Sequence, residues 1–430
     1  MSPSSSGRDA RKTVRPDPEM KIAMVSANAR VVGGIETYLR TVVPALRARG
    51  HRLAMFHETA DPADRPWLSE DPEIPRFCSE TLGAESWLAR MREWAPDIVF
   101  NHGLVDIRLE GRAGQIAPEV YFAHAYWGTC IGGAKVHRWP EPAPCSRRFG
   151  AACLALYLPR RCGGLSPATL WREYRNTAER LTAIRRCRAM VVTSAHMAEE
   201  YRRHGLGDRV RIVHLPVLPP LSGAGDGPLS SSGAVRLLFM GRMQSLKGGR
   251  LLLDALPMVR SGSGRPVDLC MAGDGPDRIR WSRRAEEITR RHEGIRCTFT
   301  GWVEPMERDR LLRDSHLLVV PSIWPEPFGQ VGLEAGHLGV PSVAFRVGGI
   351  PDWLHEGVNG HLAPADPPTA SGLAAAIGRC LSDPVAYAGL RMGARRMAGL
   401  FTLDRHLAGL EASFAAASRP HGSKQDTKRV

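Results

Sequence analysis

Four charged side chains in two short Gly- and Pro-rich stretches are the residues of this 430-residue chain that could do chemistry together. Arg242 and Lys247 lie in MGRMQSLKGG, which leaves an apolar strand; Glu326 and Glu334 lie in PSIWPEPFGQVGLEAGHLG, on either side of a Pro-Phe-Gly turn. Two cations in a loop at a strand end neutralise a diphosphate and the negative charge that grows on it as it departs. The carboxylates, with seven residues between them, are spread out. A helix opening near Phe328 places Glu334 in its second turn and Glu326 in the loop before it, at most roughly 12 Å apart along a helical path. They cannot form a close acid/base dyad. They can grip two hydroxyl-bearing parts of one elongated ligand, such as the ribose and hexose of a nucleotide sugar.

A third element of the same chemistry is Gly33-Gly34, between the first strand and the first helix. A helix amino end offers unpaired N–H groups and a partial positive charge, and glycine lets the backbone approach an anion closely, so a phosphate site fits there. A plain tight turn fits equally. The stretch is not a GxGxxG fingerprint, which removes the main support for a dinucleotide cofactor.

The elements that must position these groups follow from periodicity. KIAMVSA from Lys21 is a short apolar strand, and IETYLRTVVPALRARG repeats apolar residues (Ile35, Tyr38, Leu39, Val42, Val43, Leu46) at helical spacing before Gly50. HRLAMFH is a strand again, completing a βαβ unit and implying a parallel sheet. Alternation continues through SWLARMREW, DIVFNHG, VYFAHAY, TLWREYRNTAERLTAIRRC and AMVVTSA. It restarts at VRLLFM after the Pro/Gly/Ser-rich residues 217–233. The expected fold class is therefore α/β: two facing Rossmann-like, doubly wound domains with an interdomain cleft, residues 20–216 and 234–395, joined by a linker at 217–233. Residues 1–19 are expected as a disordered leader, 396–419 as helices packing back towards the first domain, and 420–430 as a disordered tail. In such sheets ligands bind beyond the carboxyl ends of the strands, where each suggestive loop falls.

Composition adds limits. No window approaches eighteen uninterrupted apolar residues, and the leader holds no apolar core of a secretory signal, so a cytoplasmic location with reduced thiols is expected. Net charge is +14, with Arg pairs at 147–148, 160–161, 185–186 and 202–203. The charge reads as a solvated surface or as an attraction to an anionic membrane, giving a peripheral position at its inner face. No helix-turn-helix, zinc finger or aromatic RNA-binding motif accompanies it, so no nucleic acid partner is expected. Cys130, Cys145, Cys153 and Cys162 fall in one Arg-rich stretch beside His124 and His137. A zinc cluster is one reading of these four and buried thiols the other; the spacings lack the CxxC knuckle that pins two ligands to one turn.

Taken together, the motifs carry a resemblance. GGIE at 33–36, GR at 241–242 with KG at 247–248, AGDGP at 272–276, FTGWV at 299–303 and PSIWPEPFG with LEAGHLGVPSVA from Pro321 to Ala344 resemble the retaining glycosyltransferases of family four, the group 1 glycosyltransferases. VGGIPDW and NGHLA extend the likeness. The match is dense over 235–364, moderate over 21–50 and weak elsewhere. The resemblance implies a GT-B fold and a hexosyltransferase-type enzyme using a nucleotide-diphosphate sugar as substrate, with a glycan, lipid-linked or small-molecule acceptor, as in polysaccharide biosynthesis. It implies that Gly33 and Gly34 approach the diphosphate or sugar, and that Arg242 and Lys247 bind the diphosphate. It implies further that Glu326 holds sugar hydroxyls, that Phe328, Gly329, Gln330 and Val331 meet sugar and phosphate through their backbone, that Glu334 holds the ribose, and that Gly301 frames the base. His124 matches the family's histidine beside the reacting carbon, followed here by Ala125 where the family often has Asp. A packed or merely hydrogen-bonded histidine is the alternative, and His102 is a weaker cleft candidate. Asp352 stands where Glu is commoner. No Asp-x-Asp triad occurs, so catalysis with no cofactor and no divalent metal is expected. The rival readings are a nucleotide-sugar epimerase of similar fold and a non-catalytic nucleotide- or membrane-binding partner of a glycosylation complex.

Overall fold

A computed structural model describes residues 19–60, 65–220 and 233–419. The expected leader up to residue 18, the linker residues 221–232 and the tail 420–430 lie outside the described residues.

The first domain runs β1 (Lys21–Ser26), β2 (Arg52–His57), β3 (Arg76–Cys78), β4 (Ile98–Asn101), β5 (Glu119–Ala123), the two-residue pair β6 (Val136–His137) and β7 (Ala143–Pro144), then β8 (Ala189–Val192) and β9 (Val210–Ile212). All but β6 and β7 form one sheet in the order β3-β2-β1-β4-β5-β8-β9, every pairing parallel. The second domain runs β10 (Val235–Met240), β11 (Val267–Ala272), β12 (Ile295–Gly301), β13 (Leu317–Val320), β14 (Ser342–Phe345) and β15 (Gly360–Ala363), in the parallel order β12-β11-β10-β13-β14-β15. Most of these strands are near-continuous buried apolar runs, as helices on both faces require. The first helix, Gly34–Ala48, buries Leu39, Val42, Val43 and Leu46 and is followed by Gly50 at φ +94°. Glycine adopts that conformation without the Cβ penalty of other residues.

The order in which successive strands join each sheet reverses between β1 and β4 and between β10 and β13, and it is at such switch points that open α/β sheets form a crevice. The loops leaving those four strands are NARVVGG, HG, GRMQSLKGG and PSIWPEPFG. The topology thus gathers the sequence motifs for a physical reason.

The helix Leu403–Ser418 leaves the second domain and joins the first: Leu407, Leu410, Phe414 and Ala417 belong to its apolar core. Arg49 fixes it by pairing with Glu411 at 2.8 Å and Asp404 at 2.9 Å. Two sequence boundaries need correcting. Val217, expected to open the linker, is buried in the core of the second domain, and its N–H donates to Phe401 O at 2.8 Å. The helix expected near Phe328 begins at Val331, because Gly329 at φ +84° holds the chain out of helical conformation. Glu334 consequently lies in the first turn, not the second. Among the described residues no helix is long and apolar enough to cross a membrane.

Candidate functional site

The loops after β10 and β13 lock together through glycine. A Cβ on Gly248 (φ +68°) would stand 1.8 Å from Pro321 O, so only glycine lets the KG turn lie on the strand end beside it. Ile323 N–H donates to Leu246 O at 3.0 Å across the same junction. Gly273 and Gly275 of AGDGP do the same on the other side, where a Cβ would come within 2.1 Å of Gly241 O and 2.4 Å of Met243 O. Lys247 Nζ is thereby delivered to Glu326 Oε1 at 2.5 Å, and Ser322 Oγ donates to the same oxygen at 2.5 Å. Glu326 is buried and Lys247 only partly so, which leaves the ammonium able to meet a ligand. Arg242 is exposed on the same loop.

The backbone around Glu326 is held at four successive carbonyls. Tyr126 OH donates to Pro325 O at 2.9 Å, Gly349 N–H to Glu326 O at 2.7 Å, Thr193 Oγ1 to Pro327 O at 3.0 Å and Trp353 Nε1 to Phe328 O at 2.7 Å. Tyr126 and Thr193 come from the first domain, so the loop that carries Glu326 is shaped partly by the domain opposite. Asp352 adds a further strap, its carboxylate accepting from Ala195 N at 2.8 Å and lying 3.1 Å from His214 Nε2.

Other expected residues are placed as follows. Gly33 caps the first helix, its N–H donating to Glu36 Oε2 at 2.8 Å, and a Cβ on Gly34 would meet nothing within 4 Å, so this amino end is open. Phe328 is buried and stacks on His214 with centroids 5.6 Å apart. Gln330 donates from its side-chain amide to Pro216 O. Gly332 lies so close to Trp353 that a Cβ would fall 2.0 Å from the indole, which packs Val331 and its helix tightly behind the loop. Glu334 does not join the Lys247–Glu326 pair; it faces Arg308 at 3.9 Å, and burial raises its carboxyl above the usual range. Gly301 ends β12 at φ +74° with its carbonyl accepting from Gly273 N at 2.7 Å. The four cysteines are free thiols, with Cys162 Sγ 3.7 Å from His137 Nδ1. Among the described residues no three Cys, His, Asp or Glu side chains converge as metal ligands, so the candidate zinc cluster has no matching geometry.

His124 directly follows β5, with Nε2 2.9 Å from Nδ1 of the buried His102, and its ring lies edge-on to Tyr38, whose hydroxyl contacts His406 Nε2 at 2.8 Å. Burial pushes His124 down to about 3 and His406 to about 4, so both are neutral at pH 7. Below the ordinary imidazole value near 6.5 the unfolded chain takes up protons that the fold refuses. Stability is therefore expected to fall as pH drops from 7 to 5. In thermal unfolding at several pH values, His406→Asn should flatten that slope; an unchanged slope would contradict the burial argument.

Sequence reasoning missed Tyr126, Thr193 and His214, since a side chain that serves a carbonyl or carboxylate in the other domain leaves no local pattern. The glycine signals at 248, 273 and 348–349 were legible as residues but not as contacts.

A family model described as group 1 glycosyl transferases matches residues 234–383, and one for glycosyltransferase family 4 matches 32–218. The chain is 27% identical over 383 residues to a glycogen synthase of Mycobacterium tuberculosis, covering 85% of this chain and 87% of that protein. It is also 27% identical over 378 residues to a D-inositol 3-phosphate glycosyltransferase of Mycolicibacterium smegmatis, covering 77% and 75%. Among solved structures, Anabaena Alr3699/HepE in complex with UDP and glucose superposes with a TM-score of 0.64 at 20% identity over 93% of this chain and all of that one. Sucrose-phosphate synthase of Thermosynechococcus elongatus gives 0.64 at 21% over the same shares. Matched in tandem by two models of one family and folded as two parallel-sheet domains with that family's motifs at their switch points, the chain belongs to the group 1, or family 4, glycosyltransferases.

Proposed function

We propose that the chain transfers a hexose from a nucleoside-diphosphate donor to a hydroxyl of a glycan or lipid-linked acceptor, with retention of anomeric configuration and without a divalent metal. The observation that carries this reading is the Lys247–Glu326 pair, assembled on the two loops of the second domain's switch point with Arg242 beside it. As the bond from anomeric carbon to phosphate oxygen breaks, Lys247 and Arg242 offset the charge growing on the diphosphate. The acceptor oxygen bonds to the same face of that carbon, and its proton passes to the leaving phosphate. Glu326 orients the sugar hydroxyls, and neutral His124 contributes a hydrogen bond rather than a charge. Glu334 takes the ribose, Gly301 and its neighbours the base, and the open end at Gly33-Gly34 the diphosphate or sugar. The sequence offers no Asp-x-Asp triad to bridge a metal to the donor.

A cytoplasmic protein resting on an anionic inner membrane face is the reading that best accommodates the first domain's surface. Exposed Trp171 (57%) and Val105 (74%) accompany exposed Arg172, Arg175 and Arg108 around one groove. Such a mixture of arginine and apolar side chains suits an interfacial position.

The test is a transfer assay on the purified chain, with donors chosen by thermal shift among UDP-, GDP- and ADP-sugars. UDP-sugars come first, because structures of like fold hold UDP with glucose. Expected are a product anomer matching the donor, a rate insensitive to EDTA, and stronger sedimentation with anionic than with neutral vesicles at low salt. Isomerised donor without transfer would indicate the epimerase. No nucleotide release from any donor would indicate the non-catalytic partner.

A further inference from the structure

The segment that carries Glu326 also carries Trp324, a side chain that the charge chemistry leaves without a role. Its backbone is fixed on both sides. Ile323 N–H donates to Leu246 O at 3.0 Å, next to Lys247, and Pro325 O accepts from Tyr126 OH of the first domain at 2.9 Å. The residue between these two ties has little freedom over where its ring goes. The indole leaves the second domain and packs against the first domain's apolar cluster that includes Tyr126, Val192 and Met197. Lys247 Nζ stands over the same ring, 5.4 Å from its centroid. One indole is therefore shared between the core of one domain and the ammonium of the other.

An ammonium carries three donor hydrogens. Glu326 Oε1, at 2.5 Å, accounts for one direction. The face of an aromatic ring is negative and attracts a cation within about 6 Å of its centroid, so the indole accounts for a second. What remains points the charge where a diphosphate can meet it. The flexible stem of lysine would otherwise let the ammonium take several positions about Glu326.

Packing alone does not explain the residue type. Trp324 Nε1 is buried and makes no hydrogen bond among the described residues, a cost that leucine or phenylalanine in the same space would not carry. Among aromatic side chains the indole attracts a cation most strongly, and that is the property this position uses.

We infer that Trp324 is a positioning residue: its indole, lodged against the first domain, holds the Lys247 ammonium in the direction of the donor diphosphate. This role rests on the transfer reaction proposed above, but the placement itself is measured without turnover.

The experiment is proton–carbon NMR on the full chain labelled at lysine Cε. The six lysines of the sequence give few signals, and the one lost in Lys247→Arg identifies Lys247. The ring current of an indole moves protons over its face upfield. The Lys247 Hε signal is expected upfield of the other lysines, shifted less in Trp324→Phe, and at the ordinary lysine position in Trp324→Leu. Beside it, kcat for transfer is expected to fall about three- to thirtyfold in Trp324→Leu, the size of a cation–π contact, and less in Trp324→Phe, with the donor KM nearly unchanged. A merely structural tryptophan would instead lower melting temperature and kcat together in both variants and leave the Lys247 signal in place. The inference is overturned by that pattern, by a Lys247 signal at the ordinary position in the unsubstituted chain, or by full kcat in a folded Trp324→Leu chain when Lys247→Ala has lost it. If the signal moves as expected while no donor turns over, or while Lys247→Ala transfers sugar at the full rate, the proposed charge stabilisation fails and the placement by Trp324 stands.

Discussion

Lys247→Ala is expected to lower kcat for sugar transfer about a hundred- to a thousandfold, the size seen when one preorganised charge-stabilising group is removed. The ammonium is held at 2.5 Å from Glu326 on a loop that glycine contacts fix in place, so its charge needs no reorganisation when the diphosphate leaves. The same substitution strands a buried carboxylate, a cost of about 3–5 kcal/mol in comparable sites. Activity must therefore be read beside thermal unfolding. Lys247→Arg separates the two effects: it keeps the charge beside Glu326 and loses the compact ammonium, so stability should recover more fully than kcat. Glu326→Gln should leave a folded chain, since Ser322 can still donate to the amide oxygen, while raising the donor KM and lowering kcat together. Wild-type kcat in a folded Lys247→Ala chain would contradict the proposed charge stabilisation.

Gly348→Ala is expected to reduce transfer at least about a hundredfold without removing any chemical group, since displacements near 1 Å in a reacting geometry carry penalties of that order. A Cβ at Gly348 would lie 2.3 Å from Glu326 O and 2.4 Å from Glu326 N, backbone atoms that cannot swing aside as a side-chain tip could. The carbonyls on either side are tied to Tyr126 and Thr193 of the other domain, so the loop cannot shift without breaking the clamp. Gly357→Ala is the control. Gly357 has a comparable positive φ, +71° against +53° for Gly348, but a Cβ there meets nothing within 4 Å. Transfer rates with thermal unfolding on both variants distinguish backbone strain, common to the two, from displacement of Glu326, confined to one. Equal losses would remove the steric explanation.

The two sheets were readable in the sequence because buried parallel strands are near-continuous apolar runs that alternate with amphipathic helices. The first helix shows this, with Leu39, Val42, Val43 and Leu46 on one stripe and glycine at its end. Strands of three residues such as Arg76–Cys78 and Val210–Ile212 carry too little periodicity to stand out, and their polar positions blur it further. The motif loops were legible because strongly constrained turns spend glycine and proline in fixed order. Their mutual contacts were not. Lys247 and Glu326 are 79 positions apart, and nothing in either stretch says that a glycine at 248 lies against Pro321 O. The onset of the helix before Glu334 was misplaced because Pro327 and Phe328 look like a helical first turn, whereas Gly329 at φ +84° postpones it to Val331. A cavity beside the first helix was the least legible part: Trp127 lies in the loop after β5 and Asn176 and Arg180 in a helix some fifty positions later, and each reads alone as an ordinary loop or helix residue.

A crystal structure of the chain with the nucleotide sugar that raises its melting temperature most would put the donor assignment to a single trial. The diphosphate is expected within hydrogen-bonding distance of Lys247 and Arg242, with the hexose hydroxyls on Glu326 and the ribose on Glu334. A donor bound elsewhere, with the Lys247–Glu326 pair untouched at 2.5 Å, would contradict it.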